Sequence, residues 1–215
     1  MAAIKISDAS FQAVPVFPLG GQSLFPHMSL PLRIFEPRYV EMVEYALDHN
    51  KLIAIADVNS TQDKPALPPI LGAGLIVHIK PRPGKMFDMI LLGITRVGLI
   101  EEHPQVRGFR QAKAEILIDE EESEQGLLEL DLNVRDLILQ LSERRPDDSE
   151  ALESLLQQAT SPLLLSEMSA ARLLQDRARQ RQAFGTLSTS KRLEVIADGL
   201  GALLMKGSPT DDGEH

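Results

Sequence analysis

Ser190 and Lys191 stand side by side, and a serine nucleophile activated by a lysine base is one route to peptide-bond hydrolysis. Adjacent residues on a helix point to different faces, and serine is strongly preferred at helix starts, so the pair reads as capping. Gly84-Lys85 is the nearest approach to a phosphate-holding loop, in which backbone amides and a lysine surround the phosphates. Met86 stands where that loop needs Ser or Thr, and Ile79 stands where it needs its first glycine, so these residues read as a hairpin tip. The histidines at 27, 49, 78, 103 and 215 show no HxxxH or HxH spacing, which leaves zinc without a local ligand set. His78 falls in an apolar strand and reads as a structural residue. Glu36 is an acid–base candidate by type, but directly before Pro37 it is better placed to face the positive end of a helix dipole. No catalytic residue, metal site or cofactor is nominated, and an enzyme is not expected.

Cations offer a second kind of chemistry. Lys80, Arg82 and Lys85 fall on one expected hairpin, and Arg172, Arg177, Arg179 and Arg181 on one expected helix. Such clusters are what nucleic-acid binding rests on. The formal net charge of −9 opposes it. So does the run from Asp119 to Asp131, which carries Asp119, Glu120, Glu121, Glu122, Glu124, Glu129 and Asp131 without a Lys or Arg. That run reads as a solvated boundary and an acidic helix start.

The elements that must position these residues fall into two halves. Prolines at 15, 18, 26, 31 and 37 punctuate the run VPVFPLGGQSLFPHMSLPLRIFEPRYVEMVEYAL. Each removes a backbone donor and favours extended geometry before it, which predicts short, bent strands rather than one helix. Pro37 suits the first position of a helix through Tyr39, Met42, Val43, Ala46 and Leu47. Lys51–Asp57, Ala73–Ile79, Met86–Leu92, Ile94–Ile100 and Phe109–Ile118 read as further strands, about seven in all. Gly93 marks a bulge or bend. Because helices do not alternate with strands, the expected class is α+β, with a bent-strand pseudo-barrel holding one inserted helix.

Beyond residue 120 the apolar period becomes helical. Leu127, Leu130, Val134, Leu137, Ile138 and Leu141 share one face, and Arg144-Arg145-Pro146 ends that helix. A second helix follows Asp147-Asp148-Ser149, and a third runs from a Ser166 cap to about Ala183. A fourth carries Leu193, Ile196, Ala197, Leu200, Leu203 and Leu204. Such stripes must pack together, which predicts a bundle of about four helices. The expected divisions are 1–120, 121–207 and a disordered tail at 208–215.

The chain has 215 residues and no cysteine, which excludes disulfides and thiolate chemistry. No apolar run is long enough to span a membrane, and the N-terminus lacks a basic region followed by an apolar core. The cytoplasm is the expected location.

Pro18-Leu19, Leu24-Phe25-Pro26, Leu30-Pro31-Leu32 and Ile34-Phe35-Glu36-Pro37-Arg38-Tyr39 together closely resemble the opening of the Lon N-terminal domain family. Ile70–Ile76 and Leu92–Val97 are similar to two of its strands, and Thr186–Leu204 to its closing helix. The resemblance implies a PUA-like barrel followed by helices. It also implies a non-catalytic module that recognises unfolded or partner polypeptides and works with a separate protease or chaperone. The ATPase and peptidase modules expected after such a domain have no counterpart in these residues. Phe25, Met28, Met86 and Phe87 sit in or beside expected turns, and they are the candidate polypeptide-binding residues. Self-association is compatible with this reading. An RNA-binding PUA-like protein is the alternative, since barrels of this kind include RNA modules.

Overall fold

A computed structural model describes residues 6–58 and 64–206. The chain divides into two compact units, with the boundary between Ile118 and Asp119. The expected tail at 208–215 lies outside the described residues.

The first unit is a six-stranded sheet: β1 (Val14–Pro18), β2 (Ser29–Ile34), β3 (Leu52–Ala56), β4 (Ile70–Arg82), β5 (Met86–Glu102) and β6 (Arg110–Leu117). The order is β2-β5-β4-β3-β1-β6, and a further pairing of β5 with β6 closes five strands into a barrel. β1 and β3 pair in parallel, with Val16 opposite Ala54. The crossover between them contains β2 and the single helix α1 (Pro37–Asp48). Pro37 does occupy the first turn, where its missing N–H costs nothing.

Six strands replace the expected seven because two of the expected strands are one. Met86–Leu92 and Ile94–Ile100 are one 17-residue strand that runs through Gly93. Its first half pairs with β2, as Leu92 with Ser29, and its second half with β6, as Arg96 with Leu117. Gly93 lies at the change of partner, beside a register shift between Ala73 and Gly74 on β4. A Cβ on Gly93 would lie 2.1 Å from the Phe25 carbonyl oxygen, and one on Gly72 would lie 2.3 Å from that of Leu24. The Leu24-Phe25 backbone therefore crosses the sheet where two strands present no side chain.

Strand parity divides the core in two. Leu52, Ala54 and Ala56 of β3 pack with Phe11, Val14, Val16, Leu71 and Val97. Ile53 and Ile55 point the other way, onto Val40, Met42, Val43 and Ala46 of α1.

The second unit holds α2 (Glu124–Arg144), α3 (Ser149–Gln158), α4 (Pro162–Leu173), α5 (Arg177–Gly185) and α6 (Thr189–Lys206). The expected third helix is two helices. Ser161 caps α4, with Pro162 in its first turn, and Ser166 lies buried inside it. The chain leaves the helix at Leu174, and Asp176 starts α5 by accepting hydrogen bonds from the amides of Ala178 and Arg179 at 2.8 and 3.0 Å.

The acidic run is not merely solvated. Asp131 pairs with Arg135 at 2.7 Å, and Asp119 reaches Arg192 at 3.3 Å. The Glu122 carboxylate accepts from the Thr189 amide at 2.6 Å, the Ser190 amide at 3.1 Å, and the hydroxyls of Ser188 and Ser190. Ser188, rather than Ser190, caps α6, accepting from the Lys191 amide at 3.2 Å. Burial pushes the Glu122 carboxyl up, but the hydrogen bonds from Ser190, Thr189 and Ser188 outweigh it and hold the group below the ordinary 4.5. A carboxylate depressed in the folded state stabilises above its unfolded pKa and loses that contribution as pH falls through the folded one. Glu122→Gln should therefore lower stability by about 1 kcal/mol at pH 7, as for loss of a helix cap. In thermal melts the gap from the parent should narrow as pH drops below 4.5.

Candidate functional site

Outward-facing residues of the proline-rich segment border an opening in the barrel unit. Along β2, Leu30, Leu32 and Ile34 turn toward the core while Ser29, Pro31 and Arg33 are exposed. The same alternation carries past the strand end and puts Phe35 outside, with 62% of its surface exposed. Pro37 holds the chain in helical geometry two residues later, so Phe35 is fixed between strand and helix.

Phe35 borders a groove of about 510 Å³ formed by the end of β1, the end of β2 and the first turn of α1. Phe17 and Tyr39 form its aromatic floor, with ring centroids 4.4 Å apart. Burial raises the Tyr39 phenol above its ordinary value of 10.0, despite the nearby Arg38 cation. The Arg38 guanidinium lies 4.6 Å from the Tyr39 ring centroid and 2.8 Å from Glu36. Both charged groups are solvent-exposed, so this ion pair shapes the rim and contributes little stability.

The groove walls are anchored from beneath. Asp57 accepts from the Gly21 amide and the Ser23 hydroxyl, each at 3.0 Å, and fixes the turn after β1. Arg110, itself buried, donates to the Pro65 carbonyl at 2.7 Å and holds Glu102 with two bonds of 2.6 and 2.7 Å. The Arg110 hydrogen bonds lower the Glu102 carboxyl against the upward push of burial. Such paired bonds fix geometry as well as charge.

The four residues nominated from the sequence do not converge. Phe25 is fully buried, with the Arg96 guanidinium 5.7 Å from its ring centroid, so it serves as packing and offers no surface. Met28 is half-buried at the turn beside Gly93. Met86 and Phe87 are half-buried at the hairpin end of β5, about 20 Å along the strand at some 3.4 Å per residue. Phe87 pairs with Ile34, one residue from Phe35. Phe35 belongs to the motif but not to the four nominated residues, although the inward parity of Leu30, Leu32 and Ile34 assigns it to the outer face.

Other candidate groups are also relocated. His78 is exposed, next to a β4 register irregularity, rather than enclosed in the strand. Arg82 pairs with Asp88 at 2.5 Å, and Arg33 reaches the same carboxylate at 2.9 Å. Hydrogen bonds from those two arginines hold the Asp88 carboxyl below its ordinary range. Arg172 stands on α4 while Arg177, Arg179 and Arg181 stand on α5, so the expected single basic helix does not form. Among the described residues, no group of three or more His, Asp or Glu is placed to hold a metal, and no helix is long and apolar enough to cross a membrane.

The fold is thus a closed barrel with a crossover helix, followed by a helical unit, and the barrel carries an aromatic groove. Residues 13–200 match the family model described as the ATP-dependent protease La (LON) substrate-binding domain, and the chain belongs to that family. The Lon protease of Desulfosudis oleivorans is 24% identical over 200 residues, covering 88% of this chain and 24% of that protein. The Lon protease of Escherichia coli K12 is 25% identical over 191 residues, covering 85% and 24%. The chain thus spans about a quarter of the length of these relatives. Among solved structures, the N-terminal domain of a Mycobacterium avium complex Lon protease aligns with a TM-score of 0.71 at 18% identity, covering 88% of this chain and 98% of that one. A Lon N-terminal domain protein from Xanthomonas campestris aligns at 0.61, also at 18% identity, covering 86% and 97%. The fold is that of a Lon N-terminal domain.

Proposed function

We propose that this chain captures extended, apolar polypeptide segments in the Phe35 groove and presents them to proteolytic machinery. The observation that carries the reading is Phe35 itself: a large aromatic side chain 62% exposed beside a rigid aromatic floor. The family's description as substrate-binding supports it. Met86, one residue beyond the Ile34–Phe87 pair and so on the same parity as Phe35, extends the apolar surface, while Phe87 turns with Ile34 toward the core. Strand addition to β2 is the less favoured mode, because Pro31 removes a donor from an edge that pairs only with β5 among the described residues. Side-chain capture in the groove needs no continuous ladder.

Full burial of an aromatic side chain contributes about 1.5–3 kcal/mol. Removing it should weaken binding by about tenfold, equivalent to about 1.4 kcal/mol. The test is fluorescence anisotropy with labelled extended peptides, one rich in Leu and Phe and one of polar composition. Phe35→Ser is expected to weaken capture of the apolar peptide about tenfold with an unchanged melting temperature. Equal binding of that peptide by parent and variant would refute the groove.

A further inference from the structure

The helical unit carries two surfaces that complement each other and face apart, and we infer that a second copy of this chain seats one in the other. This inference is independent of the Phe35 groove.

The first surface is the outer face of α2. Leu128, Leu132 and Leu139 are 53%, 57% and 48% exposed, and helical spacing places them in one stripe. Glu129, Asp136 and Glu143 recur every seven residues along one flank, all exposed. The stripe is therefore apolar with an acidic border. Its opposite flank carries Arg135, whose guanidinium is committed to Asp131 and to the carbonyls of Leu156 and Ala159.

The second surface is a groove made of two adjoining cavities of about 280 and 270 Å³, which share Leu173, Gln175 and Leu203. Its depth comes from small residues on α6: Gly199 and Ala202 line one cavity, and a Cβ at Gly199 would already meet Leu174 at 2.5 Å. Arg172 and Arg179 stand at its walls and make no side-chain hydrogen bond or ion pair with any described residue. The acids nearby are already engaged, Asp148 with Arg145 at 3.9 Å and Asp176 with the amides that begin α5. The groove is thus apolar with a cationic border, the reverse of the stripe.

The two surfaces cannot meet within one chain. Leu141 lines the groove from α2, nine residues from Leu132. That interval is about two and a half helical turns, so the two side chains leave opposite sides of the helix. The three stripe leucines span about 16 Å at 1.5 Å per residue, a length that calls for an elongated receptor rather than a single pit. A contact of unlike patches on identical chains is head-to-tail.

Sedimentation velocity on the full chain, at low ionic strength and up to about 0.5 mM, tests this where even millimolar affinity registers. The parent is expected to associate as concentration rises, and less so in high salt. Leu132→Gln breaks the stripe but leaves the groove, while Arg172→Glu does the reverse. Each alone is expected to remain monomeric with parental melting behaviour, and an equal mixture to form a one-to-one dimer through the one intact pairing. Glu129→Arg and Arg179→Glu provide a second such pair. A parent that stays monomeric throughout, single variants that associate like the parent, or a mixture that stays monomeric would each overturn the inference.

Discussion

Arg192→Met is expected to lower the stability of the helical unit by about 3–5 kcal/mol, the usual cost of leaving one member of a buried ion pair alone. Arg192 is fully buried on α6, and its guanidinium meets the equally buried Glu167 of α4 at 2.8 Å. It also donates to the Ser166 hydroxyl at 3.0 Å, to the Thr186 carbonyl at 2.9 Å and to the Ala183 carbonyl at 3.3 Å. One side chain thus joins α4, the end of α5 and the start of α6. Lysine cannot replace it, because a single ammonium lacks the planar fork that serves several acceptors at once. Urea unfolding followed by helical circular dichroism should show the midpoint falling by more than about 1 M, given slopes of about 1–3 kcal/mol per M. A shift of only a few tenths of a molar would show that the network contributes little.

Gly93→Ala is expected to disrupt the barrel unit by about 3 kcal/mol or more, at or beyond the upper end for overpacking. The added methyl group meets the Phe25 carbonyl at 2.1 Å, and the two backbones are tied together there by hydrogen bonds from the His27 amide to Gly93 and from the Gly93 amide to Met28, each 2.8 Å. Phe25→Ala should cost about 3–5 kcal/mol by leaving a cavity where the buried ring packs. The two changes affect neighbouring atoms, so their effects should not add. Gly185→Ala is the control, since nothing lies within 4 Å of a Cβ there. Thermal melts that rank Gly93→Ala level with Gly185→Ala would contradict the placement of the Leu24-Phe25 segment.

That segment also shows what local sequence pattern conveys. Prolines and glycines locate its turns well, because they act through their own backbone angles. They do not say which side of the chain meets the sheet, and Phe25 next to a turn is consequently enclosed rather than offered to solvent. Parity along β2 was the more informative signal, since it carries through to Phe35. The start of α1 at Pro37 and the apolar stripe of α6 follow from local rules and are found where those rules place them. The break between α4 and α5 has no such marker: neither Gly nor Pro separates Leu173 from Arg177, and Asp176 makes the start by capping. Ser166 has the chemistry of a cap, yet it donates back to the Leu163 carbonyl inside a helix that is buried along its middle. The roles of Asp119 and Glu122 depend on partners more than sixty residues away, which no local window contains.

Nuclear magnetic resonance titration of the labelled chain with an unlabelled, extended apolar peptide tests the central claim most directly, because it reports where contact occurs. The amides of Phe17, Leu19, Gly20, Phe35 and Tyr39 should shift together and saturably, and those shifts should vanish in Phe35→Ser. Saturable shifts confined to other surfaces, with these amides unmoved, would contradict the account.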